Sequence, residues 1–252
     1  MKKLIRLIKA NILFLLFLVV IIVVAGFYIS KKYVAKSSYI YVQVKVGQGL
    51  WWASIERPSF WLIRSLTMDK NNNLSGDGVK LISLNYYPSF QSIQGPSEFT
   101  NQFDVYVTLR IPVTKDGGGQ YYFNRNLVSI GAPIDIQLPV TQFSGTIVNF
   151  SKMTLNNSTE ERTVFLSKAG ASQDEFQNVN AGDYYFDGQN KVFIVEDKSY
   201  QDGTLIIKAK IALTKSYGHL LFGENEVINL NQKFDFITNK AIFYDFVVDR
   251  IE

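Results

Sequence analysis

The chain of 252 residues contains no cysteine and one histidine, His219. The first absence excludes disulfides, zinc–thiolate sites and every thiol nucleophile. The second leaves a Ser-His-Asp triad a single possible base. His219 falls at the tip of an expected hairpin, where histidine is ordinarily solvated surface. One imidazole without a thiolate makes no usual transition-metal shell. No glycine-rich loop follows a strand and opens a helix, so nucleotide binding has no support. Acidic residues are missing from one place in particular. None of the 22 Asp/Glu lies in residues 1–36, which hold seven of the 26 Lys/Arg. The formal charge of +4 therefore belongs to that segment, and the remainder is net acidic by three. A nucleic-acid partner is not expected of a folded part without clustered positive charge.

What is present is first a long apolar run. Ala10 to Ser30 is 21 residues without a charge. As a helix it spans roughly 30 Å, the thickness of a bilayer's hydrocarbon core. There the backbone must bond to itself, which a helix achieves. Lys2, Lys3, Arg6 and Lys9 precede the run, and Lys31, Lys32 and Lys36 follow it. A short basic tail before one long apolar segment reads as an uncleaved signal anchor with its N-terminus in the cytoplasm. A cleaved signal peptide is the alternative, but its apolar region is shorter and ends at a small-x-small site. Ala25-Gly26-Phe27 is a poor site of that kind. The expected organisation is a cytoplasmic tail (1–9), a transmembrane helix (10–30) and a linker (31–37), with the rest extracytoplasmic.

Past the anchor the chain is rich in Val, Ile, Tyr, Phe and Thr, which suit pleated surfaces. It also resembles itself at a spacing of 100 residues. DVYVTLRIPVTK (104–115) matches TLIIKAKIALTK (204–215). Val105, Val107, Leu109 and Ile111 alternate in the phase of Leu205, Ile207, Ala209 and Ile211, the period of a half-buried strand. Further on, 121–123 matches 220–222, 128–130 matches 228–230, 134–136 matches 234–236, and 147–149 matches 247–249. Upstream, 39–46 and 162–168 read as strands, 58–66 and 174–183 as short helices, and 79–87 and 191–200 as strands again. The fold class expected is mainly β (α+β). After the anchor come two tandem, duplicated, antiparallel β-rich domains, each with a short helix, at 38–150 and 162–252. A polar linker (151–161) separates them. DGGG (116–119), SYGH (216–219) and DGQN (187–190) read as hairpin loops.

All three tryptophans lie in GQGLWWASIERPSFW (47–61). Trp51, Trp52, Phe60 and Trp61 form a candidate partner patch, because Trp and Tyr dominate binding hot spots. Two alternatives are cover of the first core and packing at the membrane surface. The second copy has Glu175, Gln177 and Asn178 around Phe176 instead. DKNNNLSGDG (69–78) sets Asp69, Asn71, Asn73 and Asp77 at calcium-loop spacing. Leu74 replaces the glycine of the sharp turn and Lys80 the bidentate glutamate, so a polar loop is the better reading. The Ser-Met-Pro nucleophile motif of N-anchored signal peptidases is absent, as Thr67 precedes Met68. Asp183 and Asp187 are a possible carboxylate pair of the kind hydrolases use. Asn149, Asn156 and Asn157 are formal glycosylation sites. No cofactor is expected.

YVQVKVGQGLWWAS (41–54) and the later YYFN…VSIGAPIDIQLP…GTIVNF resemble a class of uncharacterised bacterial proteins. Those have a single N-terminal anchor and a repeated β domain with a Val-Gly-x-x-Ile strand. Here that pattern stands as Val128-Ser-Ile-Gly131 and degrades to Ile228-Asn-Leu-Asn231. The resemblance implies fold and location and carries no catalytic residues. A fainter one is to membrane-fusion adaptor proteins, whose long coiled-coil hairpin is missing. The reading is a membrane-anchored, extracytoplasmic adaptor acting by protein–protein contact in a cell-envelope assembly such as secretion, pilus or transport machinery. The alternative is an envelope glycan or small-ligand sensor, and the third reading is a carboxylate-dependent hydrolase.

Overall fold

A computed structural model describes residues 12–33, 38–47, 58–71, 75–76, 78–89, 103–155, 159–216, 218–224 and 226–252. Helix α1 (Ile12–Tyr33) has 22 residues. Side chains are described for its residues 16–26, and Leu16 to Val24 are all exposed. Among the described residues no helix is long and apolar enough to cross a membrane.

The rest is mainly β, in two antiparallel sheets. The first contains β1 (Ser38–Val46), β2 (Ser75–Gly76), β3 (Val79–Pro88), β4 (Phe103–Lys115), β5 (Tyr121–Phe123), β6 (Asn126–Leu127), β7 (Pro133–Gln137) and β8 (Gln142–Ser151), with α2 (Phe60–Asn71) between β1 and β2. The second contains β9 (Thr159–Ala169), β10 (Tyr184–Phe186), β11 (Lys191–Gln201), β12 (Thr204–Ser216), β13 (His219–Phe222), β14 (Glu226–Val227), β15 (Lys233–Ile237) and β16 (Ile242–Ile251), with α3 (Gln173–Asn178) between β9 and β10. The sheet orders are β2-β3-β4-β1-β8-β7 and β10-β11-β12-β9-β16-β15, the same path twice. Even a β-bulge recurs. Ile82 is looped out between Leu81↔Leu109 and Ser83↔Thr108, and Glu196 between Val195↔Ala209 and Asp197↔Lys208. The 100-residue sequence repeat is thus a repeat of topology.

Several boundaries move. Both ends of the polar stretch 151–161 are strand, since β8 runs to Ser151 and β9 begins at Thr159, and 152–155 are irregular. The helix expected over 58–66 runs over 60–71, because Leu62 and Ile63 N–H both donate to the Ser59 carbonyl and start the first turn there. The helix expected over 174–183 stops at Asn178. Ser172 caps it: its Oγ accepts from Glu175 N–H at 3.1 Å, and the Glu175 carboxylate accepts from Ser172 N–H at 2.9 Å. Residues 128–130 and 228–230 are irregular rather than strand, although Val128 and Ile228 are both buried.

Alternation fills each core by the same rule with different residues. The first is aliphatic, with Ile40, Val42, Val44, Leu84, Val107, Leu109 and Ile111 buried. The second is built around Phe193, Phe234, Phe236, Phe243 and Phe246. The Phe236 ring stacks on Phe193 (4.7 Å) and Phe243 (4.9 Å), with Phe246 edge-on at 5.1 Å. At the rim of this core, burial pushes the Glu226 carboxyl up to about 7, and neighbouring Asp235 adds to the shift. An ordinary glutamate titrates near 4.5. Between those values the unfolded chain loses a proton that the folded chain keeps, so this group lowers stability as pH rises from about 4.5 to about 7. Glu226→Gln is expected to raise the melting temperature at pH 8, by about 2 kcal/mol of stability, and to leave it unchanged at pH 4. Equal shifts at both pH values in a thermal melt would show that ionisation is not the cause.

Candidate functional site

Two surfaces stand out: the outer face of α2 and the junction of the two sheets. On α2, Leu62, Ile63, Leu66 and Asp69 face inward, a spacing that sets one helical stripe against the first core. The opposite stripe, Trp61, Arg64 and Met68, is exposed. Trp61 is 68% exposed and Phe60 58%. The Phe60 ring lies 6.2 Å from Phe103, and Phe103 meets Tyr86 edge-on at 5.8 Å. Cover of the core, one of the alternatives for this segment, therefore does not describe Phe60 and Trp61. Trp51 and Trp52 lie outside the described residues.

The start of α2 sits at the Val46 end of β1, because Phe103 N–H donates to the Pro58 carbonyl and β4 pairs Tyr106 with Lys45. The chain arrives from α1 at the other end, Ser38. Nine strand residues separate the two by roughly 30 Å. That distance argues against the membrane-surface reading, which supposed the aromatic segment to lie near the helix exit. The second copy has no counterpart of the patch: Phe176 is covered by Tyr200 (5.6 Å) and by the Lys198 ammonium (4.1 Å from the ring centre). The copies also differ in length here. In sequence, 13 residues join β1 to α2 and 14 join β3 to β4, against three and two in the second copy.

The calcium-loop residues separate. Asp69 and Asn71 belong to the last turn of α2, and Asn73 and Asp77 lie outside the described residues. Asp69 is buried, and its Oδ1 accepts from Val140 N–H at 3.0 Å, holding the turn between β7 and β8. Asp183 does the matching task in the second copy. One oxygen pairs with Lys240 Nζ at 2.6 Å in the turn between β15 and β16, and the other accepts from Asn180 N–H at 2.8 Å. Among the described residues no group of His, Asp and Glu is placed to hold a metal ion. His219 is exposed at the start of β13, opposite Ser216.

Asp187, read from sequence as a turn residue and as half of a possible carboxylate pair with Asp183, joins the sheets. It is 2% exposed. Its Oδ1 accepts from the backbone N–H of Gln189 and Asn190, both at 2.8 Å, closing the turn between β10 and β11. Its Oδ2 reaches the other sheet, accepting from Asn85 Nδ2 at 2.8 Å and Tyr87 Oη at 3.1 Å. Around it, Tyr86 N–H donates to the Asp187 carbonyl and Tyr185 Oη donates to the Tyr86 carbonyl, each at 2.8 Å. Beyond the short β2, the free edge of β3 is thus covered by a turn of the second sheet, which removes an open pairing edge. Burial and the Asp187 charge hold the Tyr87 phenol well above its usual range; burial and the Tyr86 hydroxyl do the same for Tyr185. Glycines permit the approach. A Cβ on Gly188 (φ +102°) would lie 2.8 Å from the Tyr86 ring and 2.9 Å from the Leu84 carbonyl, and one on Gly223 2.8 Å from the Tyr87 ring. With four partners, Asp187 has no free oxygen for acid–base work, and Asp183 is engaged through both of its oxygens as well.

Beside this contact lies a cleft of 730 Å³ between the sheets. Its lining includes Gln43, Ser83 and Thr108 from the first sheet and Thr159, Asn190 and Thr214 from the second. Two smaller cavities, of 190 and 180 Å³, flank the loop at Asn124. Sequence patterning marks none of this, because the junction pairs residues about 100 apart whose types (Asn, Tyr, Asp, Gly) are those of ordinary turns and strand faces. Compared with known protein families, curated proteins and solved structures, the chain matches none.

Proposed function

We propose that this chain is an adaptor held in the cytoplasmic membrane by α1, with both sheets outside and the outer face of α2 presented to a protein partner of the same envelope assembly. The observation that carries the reading is the exposure of Phe60 and Trp61 on a helix whose other face is locked into a core. Large aromatic rings flanked by Arg64 and Met68 have the composition of an interface centre. On the second sheet Lys208 pairs with Glu196 and Lys210 with Glu161. An anchor is supported by the sequence of α1, with no acidic residue and its only lysines at 31 and 32, and by the exposed bulky side chains at 16–24. At 1.5 Å per residue, 22 residues reach about 33 Å, enough for a bilayer core.

The test is in-cell photo-cross-linking from positions 61 and 64 of the full-length protein, followed by identification of what is captured. Envelope-machine subunits are expected. Phe60→Ala and Trp61→Ala together are expected to weaken capture at least ~30-fold, the loss of a single hot spot, with an unchanged melting temperature because both rings are solvated. Undiminished capture by the double variant would remove the patch from the reading.

A further inference from the structure

We infer that the cleft between the sheets is a binding site for an uncharged saccharide, a second site independent of the α2 face. Three observations converge on this. First, the cleft's 730 Å³ lies within the ~300–1,000 Å³ typical of small-molecule sites. Second, its floor holds polar side chains with no hydrogen-bond partner among the described residues. Gln43 and Thr108 are neighbours across β1 and β4, each only 8% exposed, and their side chains have no hydrogen-bond partner among the described residues. Neither is sealed from solvent without a partner, as Thr141 Oγ1 is. Here the open side of both is the cleft. Ser83 continues the row opposite Thr108, and Asn149 flanks Gln43 on β8. Across the gap, Thr159 and Thr214 pair with each other and add two hydroxyls.

Third, the charges lining the cleft are already occupied. Glu161 pairs with Lys210 at 2.6 Å, the Lys191 ammonium sits 3.9 Å from the centre of the Tyr184 ring, Asp187 has four hydrogen bonds, and Glu224 has its own interaction. The three carboxylates outnumber the Lys191 ammonium, which keeps its charge over the Tyr184 ring, so an anionic ligand is disfavoured. What remains is a set of hydroxyls and two amides, Gln43 and Asn190, each able to donate and to accept. A ligand dense in hydroxyls matches such a set group for group, whereas a peptide would need apolar pockets for alternate side chains. The same mixed lining tells against an apolar ligand.

The experiment uses the full-length protein in detergent with N,N′-diacetylchitobiose, cellobiose and maltose as probes at millimolar concentration. Saturation-transfer NMR reports binding, and hydrogen exchange locates it. Saturable binding of at least one disaccharide, with slowed exchange at 83–87 and 187–192, is expected. Gln43→Leu and Thr108→Val are each expected to weaken it about fivefold, the loss of roughly one neutral hydrogen bond. If either variant melts early, Thr214→Val carries the same test from the other wall. Phe60→Ala/Trp61→Ala is expected to leave binding unchanged, which separates this site from the partner face. Absence of saturable binding for all three probes, or protection confined to α2, overturns the inference.

Discussion

Asp187→Ala is expected to uncouple the two sheets. The substitution leaves Asn85 Nδ2, Tyr87 Oη and two backbone N–H groups of the β10–β11 turn without their acceptor. Each buried donor left unmatched costs ~1–3 kcal/mol, and some regain water from the cleft, so the total is about 3–5 kcal/mol. In a chain of this size that is a drop of roughly 10 °C. Where the unaltered protein melts in one coupled transition, the variant should show two by scanning calorimetry. Exchange of the Tyr86 amide should accelerate, because its bond to the Asp187 carbonyl depends on the same turn. Asp187→Asn keeps one acceptor oxygen and is expected to lose about half as much. A single transition at the original temperature for Asp187→Ala would mean that the Tyr185 and Gly223 contacts hold the junction without the carboxylate.

Gly145→Ala is the second large effect. In β8, Gly145 lies opposite Ile134 of β7 and Val46 of β1. A Cβ there would collide with the Val44 side chain and lie 2.5 Å from the Lys45 carbonyl. The second collision is with backbone, so no rotamer change relieves it. Either β1 and β8 separate locally or the strand rebuilds, at about 3 kcal/mol or more. The second copy solves the same problem differently. There Phe246, not a glycine, stands opposite Phe234, and a bulge precedes it at Asp245 (φ +62°), whose N–H donates to Asp235 Oδ1 at 2.7 Å. The expected result for Gly145→Ala is a strongly lowered denaturation midpoint, with exchange rising along β1 and β8 and not along β9 and β16. A midpoint within 1 kcal/mol of the original would show that β8 can adopt the bulge of its counterpart.

Much of this fold is legible in the chain. Val105, Val107, Leu109 and Ile111 alternate because one face of β4 is buried, and their phase recurs 100 residues later because β12 occupies the same place in an equivalent sheet. The turns at 116–119 and 187–190 follow from their Asp and Gly residues. The ends of α2 and α3 are less legible, since a hydrogen bond to Ser59 or a cap at Ser172 moves a helix start without changing its pattern. Half of the aromatic candidate, Phe60 and Trp61, proves exposed. Sequence left cover of the core open for it, because a tryptophan before a buried helical stripe serves either purpose.

Asp187 marks the limit of such reading. In sequence it is the first residue of an ordinary Asp-Gly turn, and nothing local distinguishes it from Asp116, whose carboxylate closes its own hairpin through Gln120 N–H. Its second oxygen is committed to Asn85 and Tyr87, a hundred residues earlier, and only packing one sheet against the other decides that. The cleft arises the same way, since Gln43 and Thr108 become enclosed only when the second sheet lies over them. Periodicity, composition and turn chemistry are properties of neighbours along the chain, and they determined the apolar N-terminal segment, the β character and the duplication. The junction, its cleft and the exposed face of α2 depend on which faces meet, and that was decided by the tertiary structure.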